Sequence, residues 1–248
     1  MESTMINLSS SDYEDFLRCL TNLKDLCTDI DMRAGIIRQR SNDNNSIFEF
    51  DLTSLLQNIT IPISDLKNKL DLFRIFIGQD VRIDCDDNVF SFSDQYTTVK
   101  IKKPLADFLD NKFIESTELE AIISVPDDSL ILETDLKQII TERIKTITQN
   151  FNTPSVQILF EGETARILAG TQSKEQNAVL ISGLITNVAI DRSISSMSIN
   201  PFTIDHDGDI KLEIYRDQNN ILNKFETLVG QIPIKMFSKS LLRIENEE

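Results

Sequence analysis

Ser11-Asp12-Tyr13-Glu14-Asp15-Phe16-Leu17-Arg18-Cys19-Leu20, continuing through Leu23 to Cys27, carries the period of a helix rather than that of a strand. Tyr13, Phe16, Leu17, Leu20, Leu23 and Cys27 recur at three- and four-residue spacing, which gathers apolar groups on one face. Ser11 with Glu14 reads as a capping box, the hydroxyl taking an orphan amide while the carboxylate reaches back. Two strand-like runs follow, Ala34 to Arg40 and Ser46 to Thr53, separated by the turn-rich Ser41-Asn42-Asp43-Asn44-Asn45. The segment therefore predicts a helix followed by a hairpin.

The same order returns after about residue 130. Thr134 is the expected cap of a second helix in which Leu136, Ile139, Ile140, Ile144 and Ile147 form the buried stripe, with Lys137, Thr141, Lys145 and Thr148 opposite. Ser155 to Phe160 and Thr164 to Ala169 then read as strands around Glu161-Gly162-Glu163, followed by Ala178 to Ile185. Two copies of one architectural unit are expected.

Between the copies, Ser64 opens a short helix with Ile63, Leu66, Leu70, Phe73 and Ile77 on its apolar side, ending near Gly78, where a left-handed cap costs little. Lys67, Lys69 and Arg74 point outward from it. Val81 to Asp84 and Val89 to Phe92 alternate around Asp86-Asp87-Asn88, and Thr97 to Lys102 supplies a further strand whose lysines suit a sheet edge. From Lys103 to Asp128 the pattern breaks, through Pro104 and Pro126, and reads as a long connector. Domains are expected at 1–102 and 129–248, with the connector at 103–128. In the second, Ser196 to Ile204, Asp209 to Tyr215 and Phe225 to Met236 are the remaining expected strands, with Asp207-Gly208 as a hairpin turn.

Composition narrows the classes. The 248 residues are 40% apolar, which argues against disorder, and no apolar run approaches the roughly 20 residues needed to cross a bilayer. The amino terminus lacks the basic and apolar regions of a signal peptide, so an intracellular protein is expected. Cys19, Cys27 and Cys85 are odd in number and lack paired metal-ligand spacing, and are read as reduced thiols. A net charge of −15 opposes non-specific adhesion to a polyanion, so any contact with DNA needs a local basic surface.

Catalytic chemistry is not signalled. The lone histidine, His206, lies in Asp205-His206-Asp207-Gly208-Asp209, which starts like a calcium loop but misplaces the glycine and puts Arg216 where a bidentate glutamate belongs. Asp84-Cys85-Asp86-Asp87-Asn88 fails the same test. No phosphate loop, dinucleotide fingerprint or nucleophile elbow occurs, so no catalytic residue, metal site or cofactor is assigned.

Two domains of helix, hairpin, short helix and strands joined by a long connector resemble the DNA sliding clamp family, of the two-domain type found in tailed phages and as proliferating cell nuclear antigen. The most clamp-like segment is Ile59-Thr60-Ile61-Pro62-Ile63-Ser64-Asp65-Leu66, strand into helix. The resemblance implies an α+β fold of two clamp-type domains, helices on one face of antiparallel sheets, closed into a ring as a homotrimer. It implies four lining helices, at Ser11 to Leu26, Ser64 to Ile77, Thr134 to Asn150 and a short turn near Asn200 to Asp205, where Pro201 leaves little more room. Lys67, Lys69, Arg74, Lys137, Arg143 and Lys145 match the family's phosphate contacts, with Arg18 and Lys24 as further candidates.

By the same resemblance, Thr97, Val99 and Ile101 pair with a neighbour's Leu180 and Ile181. Leu105, Phe108, Leu109, Phe113 and Ile114 receive partner peptides. The implied function is a non-catalytic cytoplasmic clamp, in the host cell cytoplasm if phage-encoded, that encircles duplex DNA without reading sequence and tethers a DNA polymerase after a clamp loader places it. No membrane partner is implied. A virion structural or adaptor protein with two β-rich domains is the alternative, and a monomeric polymerase accessory subunit is another.

Overall fold

The computed structural model describes residues 4–57, 59–104, 112–126, 129–150, 155–170 and 177–244, with side chains omitted for 155 and 177–180. The chain divides into two compact units. One comprises Met1–Glu118 with Leu228–Ile234, and the other Leu119–Thr227 with Lys235–Glu248.

In the first unit, β1 (Thr4–Leu8) precedes helix α1 (Ser10–Leu26). The cap is Ser9, not Ser11: its Oγ accepts the Asp12 amide at 3.3 Å, two residues earlier than the capping-box reading. The predicted stripe is buried in full, from Tyr13 to Cys27. Strands β2 (Ile30–Arg33), β3 (Ile36–Arg40) and β4 (Ile47–Asp51) follow, then the single turn α2 (Thr53–Leu56), β5 (Ile61–Ile63) and helix α3 (Leu66–Arg74). The hairpin β3–β4 is antiparallel, Ile37 opposite Phe50. Strands β6 (Val81–Cys85), β7 (Val89–Ser93) and β8 (Thr98–Lys102) complete a four-stranded sheet ordered β1-β6-β7-β8. Strands β5-β2-β3-β4 form a second run.

Both helices of this unit sit on the four-stranded sheet through aromatic rings. Phe92 of β7 stacks against Phe16 of α1 at 6.2 Å and meets Phe73 of α3 edge-on at 5.0 Å. The Tyr13 hydroxyl donates to the Phe73 carbonyl at 2.8 Å, so the one polar atom carried into this cluster is satisfied. Phe76 takes the inward place expected of Ile77, which is 53% exposed. A short helix, α4 (Ser116–Ile123), lies within the stretch expected as connector.

The second unit contains β9 (Leu130–Leu136), helix α5 (Gln138–Asn150), β10 (Ser155–Gly170), β11 (Asn177–Met197), the single turn α6 (Asn200–Thr203), β12 (Asp207–Asp217), β13 (Asn220–Val229), β14 (Ile232–Leu241) and β15 (Arg243–Ile244). Thr134 is in strand β9, opposite Leu212 of β12, and does not cap a helix. The helix begins after Lys137. Its inward side is Thr141, Ile144 and Thr148, so the predicted stripe is rotated: Ile139 is 55% exposed. Thr141 can face the core because its Oγ1 donates to the Gln138 carbonyl at 2.8 Å and lies 3.2 Å from His206 Nε2. Thr148 likewise bonds back to the Ile144 carbonyl at 2.9 Å.

Ser155 to Phe160 and Thr164 to Ala169 do not pair with each other. They are halves of one strand, kinked by register shifts around Gly162, and both pair with β11, Val156 opposite Met197 and Gly170 opposite Asn177. Asp207-Gly208 begins β12 instead of forming a turn; the turns are Gln218-Asn219 and Gly230-Gln231. The expected strand at Ser196 to Ile204 stops at Met197, and Pro201 sits in the first turn of α6, where its missing amide is harmless.

Candidate nucleic-acid interface

The basic candidates fall on α3 in one unit and on α5 in the other. On α3, the Lys69 ammonium is spent on its own chain, donating to the Ser64 carbonyl and to Ser64 Oγ at 2.9 Å. Arg74 lies 3.0 Å from Asp71 one turn back. Lys67 is exposed and has no partner among the described residues.

On α5, Lys137 stands just before the first turn, 2.6 Å from Asp209 of β12, and the other Asp209 oxygen accepts the Gln138 amide at 3.2 Å. The hydrogen bond raises the Lys137 pKa and lowers that of Asp209. Arg143 is exposed without an acidic partner among the described residues, and Lys145 is half-exposed near His206. Burial lowers the His206 pKa, so the lysine faces a mostly neutral ring. Arg18 on α1 is 3.7 Å from Asp15.

The candidates thus divide. Lys67, Arg143 and Lys145 are available cations, whereas Lys69, Arg74 and Lys137 must give up an existing contact to meet a phosphate. Exposed ion pairs are worth little, so such exchange is cheap, but a paired lysine releases fewer counterions on binding. Sequence could not reveal the Lys137 contact, because Asp209 lies 72 residues away.

Among the described residues the candidate edges are open. β8 is terminal in its sheet, with Val99 opposite Phe92 and Ile101 opposite Phe90. Thr97 is outside the strand, its amide held by Asp94 at 2.6 Å, and Ile101 is 5% exposed, so it supports the edge from beneath. On β11, β15 pairs only with Ser193 and Ile194, leaving the earlier residues paired on the β10 side alone among the described residues. Ile181 is half-exposed there; the Leu180 side chain lies outside the described residues.

Leu105, Phe108 and Leu109 also lie outside the described residues. Phe113 packs under two guanidinium groups, Arg33 at 4.9 Å and Arg38 at 5.9 Å from the ring centre. Ile114 is 4% exposed, and its amide donates to the Arg38 carbonyl at 2.8 Å. Its surface is consumed inside the unit, so it is not an exposed receptor for a partner. Arg38 also pairs with Glu49 at 2.6 Å and donates to Ser116 at 2.9 Å. The adjoining cavity, about 320 Å³, is lined by Gln39 of β3, by Ser41 and Asn42 of the β3–β4 turn, and by Lys112, which pairs with Asp29.

The acidic turn before β7 is accounted for by backbone capping: Asp86 Oδ1 accepts the amides of Asn88 at 2.8 Å and Val89 at 2.7 Å. Among the described residues no group of three His, Cys, Asp or Glu side chains could hold a metal. No described helix is long and apolar enough to cross a membrane.

No protein-family model matches the chain, and no curated protein matches it in sequence. Solved structures match it from end to end. Proliferating cell nuclear antigen from Entamoeba histolytica superposes with a TM-score of 0.66 at 13% identity, covering 95% of this chain and 98% of that one. The chain has the fold of the DNA sliding clamps. The PCNA2–PCNA3 complex from Sulfolobus tokodaii gives 0.64 at 12% identity over 96% and 99% of the two chains. A. fulgidus PCNA, bound to the C-terminal region of FEN-1, gives 0.63 at 13% identity over 98% and 99%.

Proposed function

We propose that this protein is a DNA sliding clamp, a non-catalytic ring that encircles duplex DNA and keeps a polymerase at its template. The observation that carries the reading is the end-to-end likeness to proliferating cell nuclear antigen, which leaves almost none of the chain for another architecture. It favours the clamp over a virion structural or adaptor protein. Three copies joined through β8 of one and the Ala178–Ile185 part of β11 of the next close the ring, each edge supplying the backbone groups the other lacks.

Lys67, Arg143 and Lys145 make the leading phosphate contacts, with Lys69, Arg74 and Lys137 as exchangeable ones. Phosphate contacts carry no sequence information, so the ring slides. A net charge of −15 repels the duplex from the remaining surface. A polymerase held by the ring rebinds its template at high effective concentration instead of diffusing away. A loader opens and places the ring in the cytoplasm, of a host cell if the gene is a phage's. Partner peptides dock beside the 103–128 connector, a role in keeping with the FEN-1 segment bound to A. fulgidus PCNA.

Light scattering on a sizing column over a wide concentration range tests the reading, with a mass near three chains expected. Loaded protein should stay on nicked circular DNA and run off once the circle is cut. Joint charge reversal at Lys67, Lys137 and Lys145 should weaken retention without changing the mass. A monomer at every concentration, or equal retention on cut and closed DNA, would overturn it.

A further inference from the structure

Asp29, immediately before β2, holds two other segments of the first unit at once. Its side chain is 10% exposed. Oδ1 accepts the amide of Asp65, the residue that opens α3, at 2.8 Å, and Oδ2 accepts the ammonium of Lys112 in the connector. Burial alone would push the carboxyl up, but the hydrogen bonds from Lys112 and from the Asp65 amide outweigh that and hold its pKa below the ordinary aspartate value. Gln39 fixes the backbone beneath: its Nε2 donates to the Asp29 carbonyl at 2.8 Å, and its Oε1 accepts the Asp31 amide at 3.2 Å. One fixed carboxylate is thus shared by two segments far apart in the chain.

The start of α3 is a place where such a hold matters. Asp65 has φ of +52°, a left-handed conformation that is costly for a residue with a Cβ, and its own side chain does not cap the helix. Backbone of this kind persists only while its surroundings determine it. Besides Asp29, those surroundings are the Thr28 carbonyl, which accepts the Leu66 amide at 2.8 Å, and Lys69, which donates to the Ser64 carbonyl and hydroxyl. The helix residues that follow at once include Lys67 and Lys69. At the other end of the contact, Lys112 directly precedes Phe113 and Ile114 and lines the cavity beside them.

We propose that Asp29 couples the connector to α3, so that a partner drawing Lys112 away from it loosens the start of the helix that carries Lys67 and Lys69. Coupling requires an element with two arrangements that both sites bias, and the strained backbone at Asp65 supplies it. With Lys112 in place, both carboxylate oxygens are fixed. Without it, the carboxylate rotates more freely and the Asp65 amide shares its acceptor with water. Docking at the connector then reduces the grip of α3 on phosphate. That consequence for DNA rests on the clamp proposed above, whereas the coupling itself needs neither ring nor DNA.

The test is hydrogen exchange, read by mass spectrometry on the peptide 64–70 of the full chain. The Lys112 side chain is 37% exposed, so Lys112→Met should leave the fold intact. It is expected to speed exchange at Asp65 and Leu66 by about fivefold or more, and Lys112→Arg should restore the wild-type rate. Asp29→Asn keeps an oxygen for the Asp65 amide but removes the charge that holds Lys112. It should match Lys112→Met, and combining the two should bring no further change. Glu115→Gln, which breaks the 3.0 Å pair with Arg33 in the same part of the connector, should leave the peptide unaffected. Unchanged exchange in Lys112→Met, or an equal effect from Glu115→Gln, would overturn the coupling through Asp29. A chain that is monomeric at every concentration would overturn the clamp and leave the coupling standing.

Discussion

Lys137 and Asp209, 72 residues apart in the chain, form one of the closest ion pairs on the candidate DNA face, at 2.6 Å. The same carboxylate accepts the Gln138 amide and so caps α5 from a strand. Asp209→Asn keeps an oxygen for the amide and removes the charge that holds Lys137. Retention on circular DNA should then show a salt dependence steeper by about one unit of slope. Lys137→Ala should change that slope far less, because the lysine it removes is already neutralised. Equal effects from the two variants would show that the pair does not gate the lysine.

Arg38 holds the connector at Ile114 and Ser116. Its side chain is 9% exposed and that of Glu49 is 13% exposed, and the guanidinium also serves Ser116 and lies over Phe113. Arg38→Met takes the guanidinium away from a mostly buried carboxylate and should cost about 3–5 kcal/mol in chemical denaturation. Arg38→Met with Glu49→Leu should cost less than the single change, because the carboxylate leaves with its cation.

Glu213 predicts an acid-sensitive step. Burial alone would push its carboxyl up, but hydrogen bonds from Lys211, Lys224 and Tyr215 outweigh that and hold it at about 2. With the folded value below the unfolded one, its stabilisation is fully present above the ordinary glutamate range near 4.5 and is lost as pH falls toward 2. Glu213→Gln should flatten the pH dependence of unfolding in that window and leave the slope above pH 6 alone.

Gly230 is required by position. It has φ of +57°, and an added Cβ would lie 1.8 Å from Asp15 Oδ2 on α1. Gly230→Ala should lose about 1–2 kcal/mol from the backbone conformation, with the clash added. Combining it with Asp15→Ala should restore only the clash part, as read from denaturation midpoints.

The sequence by itself determined the elements with a strong local period. The α1 stripe from Tyr13 to Cys27, the β3–β4 hairpin, the β6–β7 hairpin and the edge strand β8 all follow from spacing and turn residues, and Pro201 limited α6 to one turn. Local chemistry suffices there because each signal is complete within a few residues. Tertiary structure decided the rest. The face that α5 buries is shared by Thr141, which meets His206 across 65 residues, so of the isoleucines in the expected stripe Ile144 is buried and Ile139 is exposed. Whether a lysine is available to a phosphate depended on Asp209, and whether Ile114 is a surface on Arg38. Each was settled by a partner distant in the chain, because burial and charge pairing depend on distance in space, which periodicity does not encode.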